Sequence, residues 1–124
     1  MTTVQMSGQD ISLIAGEDLS ADQFKFVKGG TADFRVILVT SATASSPIGV
    51  LQDDPATAGL PCTVRVSGVA KVLAGGTVTR FTTVTLMSTG AVQDKNGSDI
   101  IVGVALESGA SGDFVTVRLA LNDP

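Results

Sequence analysis

Ile48-Gly49-Val50, a loop to Gly59, and Thr63-Val64-Arg65-Val66 form a pattern that returns as Val102-Gly103-Val104, a loop to Gly112, and Thr116-Val117-Arg118-Leu119. In both copies the arginine follows the loop glycine by six positions, and Arg65 and Arg118 stand 53 positions apart. An internal repeat names the unit from which a fold is built. Here the unit is strand, loop, strand, over about residues 45–72 and 99–121, and it carries no reactive side chain. Val64 and Val66 fall on one face, and Thr63, Arg65 and Ser67 on the other, the two-residue period of a half-buried strand. Gly49 and Gly103 lie inside apolar strands, where glycine marks a bulge or a close backbone approach. With Gly59 and Gly112 in the loops, they are the structural glycines of the unit.

Outward from the repeat the chain keeps the same character. Phe24-Lys25-Phe26-Val27 alternates as a half-buried strand does, and Gly29-Gly30 turns it. Asp33–Thr40 holds a continuous β-branched run that predicts a strand buried on both faces. Thr77–Leu86 predicts the longest strand, its threonines placed on a partly wet face. Asp94-Lys95-Asn96-Gly97 is the clearest turn, since Asn-Gly supplies positive φ. Toward the N-terminus the pattern weakens. Asp10–Ile14 reads as a short strand and Glu17–Asp22 as one helical turn, while residues 1–20 as a whole read as an extended, flexible arm ahead of a single β domain over 21–124. Eight to ten short strands without a firm helix predict an all-β barrel or sandwich.

Composition narrows what such a domain does. The chain has 124 residues, enough for one domain that buries roughly two thirds of its unfolded surface. Its 8 basic and 12 acidic residues give a net charge of −4, and the cations are scattered, so no nucleic-acid face is expected. The longest strongly apolar run, Val36–Val39, is far too short to span a bilayer. No basic segment followed by an apolar stretch opens the chain, so a protein made and kept soluble in a cytoplasm is expected. Low charge with much Val, Ala and Thr suggests surface covered by a partner.

The search for chemistry is short. There is no histidine, which removes Ser-His and Cys-His activation and His-based metal sites. Cys62, the only cysteine, sits beside Pro61 at a strand start and reads as a small buried hydrophobe. Asp53-Asp54 is weighed as half of an acid/base pair or part of a calcium site, but Pro55 follows it in a loop, where Asp favours turns. Gly29-Gly30 and Gly75-Gly76 lead into no helix and no Gly-Lys-Ser/Thr, so they are turns rather than phosphate loops. Arg65 and Arg118 are either interface ion-pair donors or solvated side chains on an outer face, and the second reading is favoured. No catalytic residue, metal site, cofactor or small-molecule substrate is expected.

The order of elements resembles the capsid cement, or head decoration, proteins of tailed bacteriophages. The residues that carry the resemblance are Ile48-Gly49-Val50, Val64-Arg65-Val66-Ser67-Gly68-Val69, Gly75-Gly76-Thr77-Val78, Val102-Gly103-Val104-Ala105-Leu106-Glu107 and Gly112–Leu119. Together they span about residues 45–121. The resemblance implies a small β-barrel, or a β-clip like that of lambdoid decoration proteins. It implies a homotrimer on the outer surface of an expanded capsid, with the major capsid protein as partner. It also implies that the arm, Thr2, Thr3, Val4, Gln5 and Met6, contacts the shell. The alternative is another virion β module, a tail or fibre component or a carbohydrate-binding domain. The absence of Trp and Tyr, the usual sugar-stacking residues, counts against sugar binding.

Overall fold

The computed structural model describes residues 8–121, which form nine strands and no helix. In chain order they are β1 (Gly8–Ala15), β2 (Phe26–Gly29), β3 (Arg35–Leu38), β4 (Pro47–Leu51), β5 (Pro61–Leu73), β6 (Thr83–Leu86), β7 (Val92–Asp94), β8 (Ile101–Ala105) and β9 (Phe114–Leu119). The all-β expectation holds. Hydrogen bonding runs β1–β3–β2–β4–β5 and returns from β5 to β1, so five strands close into a barrel. Only the β1–β3 pair within it is parallel. Closure leaves no free sheet edge in this ring.

β5 is shared. Its first half pairs with β1 and β4, and its second half pairs with β9 from Val69↔Arg118 to Leu73↔Phe114. The sheet then continues β9–β8–β6–β7. A parallel bridge, Ala74↔Val92, brings β7 back to the end of β5, as Ala15↔Val36 brings β3 back to β1.

The repeat therefore reaches well beyond the strand-loop-strand units at 45–72 and 99–121. Many backbone hydrogen bonds of the two rings correspond. Gly59 N–H donates to the Ala15 carbonyl at 2.8 Å, and Gly112 N–H to the Ala74 carbonyl at 2.8 Å. Gly16 donates to Val36 at 2.7 Å, and Gly75 to Val92 at 2.9 Å. Leu19 donates to Pro55 and Val78 to Gly109, both at 2.9 Å. Val50↔Arg65 corresponds to Val104↔Arg118. Even the bulges agree: β2 slips between Val27 and Lys28 opposite Gly49, and β6 between Val84 and Thr85 opposite Gly103. A Cβ at Gly49 would overlap the Arg65 carbonyl oxygen and stand 2.8 Å from Val64 Cγ1, and one at Gly103 would overlap the Arg118 carbonyl oxygen and stand 2.8 Å from Val117 Cγ1. Gly59 and Gly112 adopt φ of 96° and 95°, a region that a Cβ disfavours.

Two cores result, and neighbouring residues divide between them. Val27 and Leu51 belong to the first with Ala15, Leu19, Val36, Cys62 and Val64. Phe26 and Val50 belong to the second with Val72, Val84, Leu86, Val102 and Val117. β2 and β4 are thus a wall that is apolar on both faces. Phe26 also ties the backbones together, its N–H donating to the Gly90 carbonyl of the second ring at 2.9 Å.

Several expectations change. From Gly8 onward the chain is no arm: β1 is a stave of the barrel, Ile11 and Leu13 pack on its core, and Leu19 is fully buried. The domain accordingly includes residues assigned to the arm, while Thr2–Met6 lie outside the described residues. Thr77–Leu86 is not one strand. Val78 makes an isolated bridge to Gly109, Phe81 turns at φ 58°, and β6 starts only at Thr83. The longest strand is β5, with 13 residues. β3 is not buried on both faces, since only Val36 within it is fully buried. Glu17–Asp22 forms bends and turns rather than a helical turn.

Gly49→Ala and Gly103→Ala should each cost about 1–3 kcal/mol, because backbone must move to admit the methyl. Phe26→Ala should cost about 3–5 kcal/mol by opening a cavity in the second core. Urea unfolding followed by circular dichroism measures both.

Candidate interaction surface

Several carboxylates are used within the fold. Asp53 accepts the Thr63 N–H through both oxygens at 3.2 Å. At the equivalent place Glu107 Oε2 accepts the Thr116 N–H at 2.9 Å and its hydroxyl at 2.6 Å. The same clamp fastens each long loop to the strand that follows it, the turn-type role read for Asp53. Asp54 is exposed. Asp94 holds the turn before β6, accepting Thr79 N–H at 2.7 Å, Thr79 Oγ1 at 2.7 Å and Thr82 Oγ1 at 3.1 Å. Among the described residues no three of His, Cys, Asp and Glu come together so as to hold a metal ion. Cys62 is buried, and burial, then the charge of Asp53, pushes its thiol above the ordinary value, away from the reactive thiolate.

The two arginines differ. Arg65 Nε and Nη2 donate to the two oxygens of Asp10 at 2.8 and 3.1 Å, and Nη1 donates to the Val69 carbonyl at 3.0 Å. It thereby staples the start of β1 to the middle of β5 and is committed inside the chain. At Arg118 the opposing residue is Val69, where Arg65 has Asp10, and the side chain is exposed. Of the two readings, an outer-face side chain describes Arg118.

What the surface does present is aromatic. Phe34 is 74% exposed and Phe81 71% exposed, and Leu60 and Phe114 are also exposed. Among the described residues Phe24, Phe34 and Phe81 are the non-glycine residues at positive φ, at 67°, 61° and 58°. A bulky residue there is strained by about 1–3 kcal/mol, and such strain concentrates at binding sites. Phe34 stands at the tip of the β2–β3 hairpin, its carbonyl accepting Ile14 N–H at 2.8 Å. The Leu60 carbonyl accepts Ala15 N–H at 2.9 Å, and Pro61 pairs with Ile14. Phe34, Leu60 and Pro61 therefore surround the end of β1. At the matching end of the second ring, Phe24 meets Phe114 edge-on at 5.4 Å, with Lys71 Nζ 5.1 Å from both ring centres. A cleft of about 480 Å³ between Thr43–Pro47 and Ser98–Ile101 is lined mainly by small and polar side chains.

None of these aromatics was read as surface from the sequence, because each lay in a strand-like run. The repeat sets Phe81-Thr82-Thr83-Val84 on Phe24-Lys25-Phe26-Val27, so it pairs two of these aromatics but marks none of them as exposed.

Asp10 is held below its ordinary value of 3.8 by the hydrogen bond from Arg65, and Asp94 below 3.8 by its bond from Thr79. Both folded values are depressed, so the stability they add is complete above the unfolded value and disappears as pH falls through the folded one. Asp10→Asn should remove about 1 kcal/mol or less at neutral pH, since the pair is partly exposed. It should also flatten the fall of melting temperature on the acid side, which thermal unfolding across about pH 6 to pH 2 measures.

No protein of curated function matches the chain in sequence. In structure it is similar to the N base of the head fiber gp8.5 of bacteriophage phi29, with a TM-score of 0.69 and 15% identity, over 94% of this chain and 98% of that one. At that identity the likeness is one of fold. The sequence profile described as phage cement protein matches residues 7–121, both rings and every strand. The chain belongs to the phage cement protein family.

Proposed function

We propose that this protein binds the outer surface of an expanded phage head and stabilises it by clamping neighbouring coat subunits without covalent chemistry. The observation that carries the reading is the family match across residues 7–121. The major capsid protein is the partner, the protein acts as a homotrimer, and Thr2–Met6 reach the shell as an arm. Two features of the chain support this. Several of its carboxylates and its buried thiol serve the fold, as the Asp53–Thr63 and Glu107–Thr116 clamps illustrate. Its exposed groups include large apolar side chains at strained backbone positions, which suits contact with another protein surface. β1 begins opposite Gly68 and Arg118 opposes Val69, so the start of β1 and the last part of β9 meet at the middle of β5. An arm starting there emerges at the junction of the two rings. Repetition over a lattice lets modest contacts per copy sum to firm attachment.

The likeness to a head-fiber base favours a second reading, a fibre-type module that attaches to the head without strengthening it.

Mixing the purified protein with expanded, undecorated capsids separates these outcomes. Clamping is expected to give co-sedimentation and a higher shell melting temperature. Co-sedimentation without the thermal gain favours the fibre-type module, and neither result overturns both. Deleting Thr2–Met6 should weaken capsid binding about tenfold or more while leaving the melting temperature of the isolated protein nearly unchanged.

A further inference from the structure

The contact that joins the two repeats inside the chain has a projecting half and a receiving half. The projecting half is Phe24, set at φ 67° and held by its N–H to the Leu51 carbonyl at 2.8 Å. The receiving half is the end of β5 with the start of β9. Leu73 N–H donates to the Phe24 carbonyl at 3.0 Å, the Phe114 ring meets Phe24, and Lys71 lies over both rings.

Each half has a counterpart in the other repeat. The projecting counterpart is Phe81, set at φ 58°, held by its N–H to the Ala105 carbonyl at 2.7 Å and 71% exposed. Among the described residues it meets no other ring. The receiving counterpart is the end of β1 with the start of β5. There Ile14 replaces Leu73, Pro61 replaces Phe114 and Ser12 replaces Lys71, with Phe34 and Leu60 exposed beside them. One chain thus carries one projecting aromatic with no ring partner among the described residues and one exposed apolar patch, on different repeats.

We infer that copies of this chain associate head to tail, with Phe81 of one copy seated on the Ile14–Phe34–Pro61 patch of the next. The occupant is a second copy because the same pairing of positions is already made once within the chain. Strain at Phe81 and at Phe34 is then offset by contact, as it is at Phe24. The contact between copies is shallower than the internal one. Thr83 and Lys95 stand where Phe26 and Val39 enter the second core, and the Ile14 N–H is already bonded to the Phe34 carbonyl. Association is therefore by side-chain burial, reversible and dependent on concentration. A contact between unlike surfaces closes into a ring when its rotation allows and otherwise runs on as a filament. This inference rests on the self-association in the proposed function, for which it names a contact, and is independent of shell binding.

The test is sedimentation velocity on the full chain and on Phe81→Asn and Phe34→Asn, since Asn tolerates positive φ and keeps the fold. Thermal unfolding of each variant checks that it does. The unmodified protein should be oligomeric at high micromolar concentration, and each variant should be monomeric or dissociate at least about tenfold more readily. An equimolar mixture of the two variants should give dimers and nothing larger. Phe34→Asn supplies an intact Phe81, Phe81→Asn supplies an intact patch, and the chain of contacts then stops. An unmodified protein that stays monomeric, variants that assemble as it does, or a mixture that stays monomeric would each overturn the inference. So would a monomer whose Phe34→Asn variant loses capsid binding, which would place the patch against the shell.

Discussion

Phe26 and Val27 are neighbours in the chain and face two different cores, and the rest of the molecule is arranged around that wall. A strand apolar on both faces must be covered on both. The first ring covers one face of β2 and β4, and the second ring covers the other. β5 meets the same demand along its length, giving its first half to one ring and its second to the other. Neither ring has a complete backbone without β5, and the second core is incomplete without Phe26, Val39 and Val50 from the first repeat. The five-stranded barrel and the second ring of strands, each marginal at such a size, thereby share one framework.

Duplication explains the architecture, and divergence explains the surface. The backbone bonds of the two repeats agree nearly throughout, down to the bulges opposite Gly49 and Gly103. The side chains agree where they face a core and part company where they do not. Phe26 corresponds to Thr83, Val39 to Lys95 and Asp10 to Val69. In the first repeat these positions make the wall and the Asp10–Arg65 staple. In the second they lie outside either core, Lys95 exposed and Thr83 and Val69 half-buried. What persists in the second repeat is Phe81, in the same strained turn as Phe24.

A cement protein works by contact, and this chain concentrates its material accordingly. Asp53 and Glu107 tie loops to strands, and its thiol is buried. The apolar groups left in water are few, large and held in fixed turns. Rigid anchors lose little freedom on binding, so each gives more affinity for its area than a mobile one.

From the sequence alone, the β class, the Gly-Val repeat, the turn role of Asp53 and the family could all be read. These depend on local alternation, on glycine and on short motifs, which are written in neighbouring residues. Closure could not be read. Gly8–Ala15 looks like an arm because its partner, Pro61–Gly68, is some fifty positions away and nothing nearby announces the pairing. The break in Thr77–Leu86 and the exposure of Phe34 and Phe81 were hidden for a related reason: positive φ at a phenylalanine is imposed by the turn and its distant hydrogen-bond partners, not by the residue. Local pattern determined which segments are strands. Only the tertiary structure decided which strands share a wall, because that choice rests on covering both faces of β2 and β4 at once.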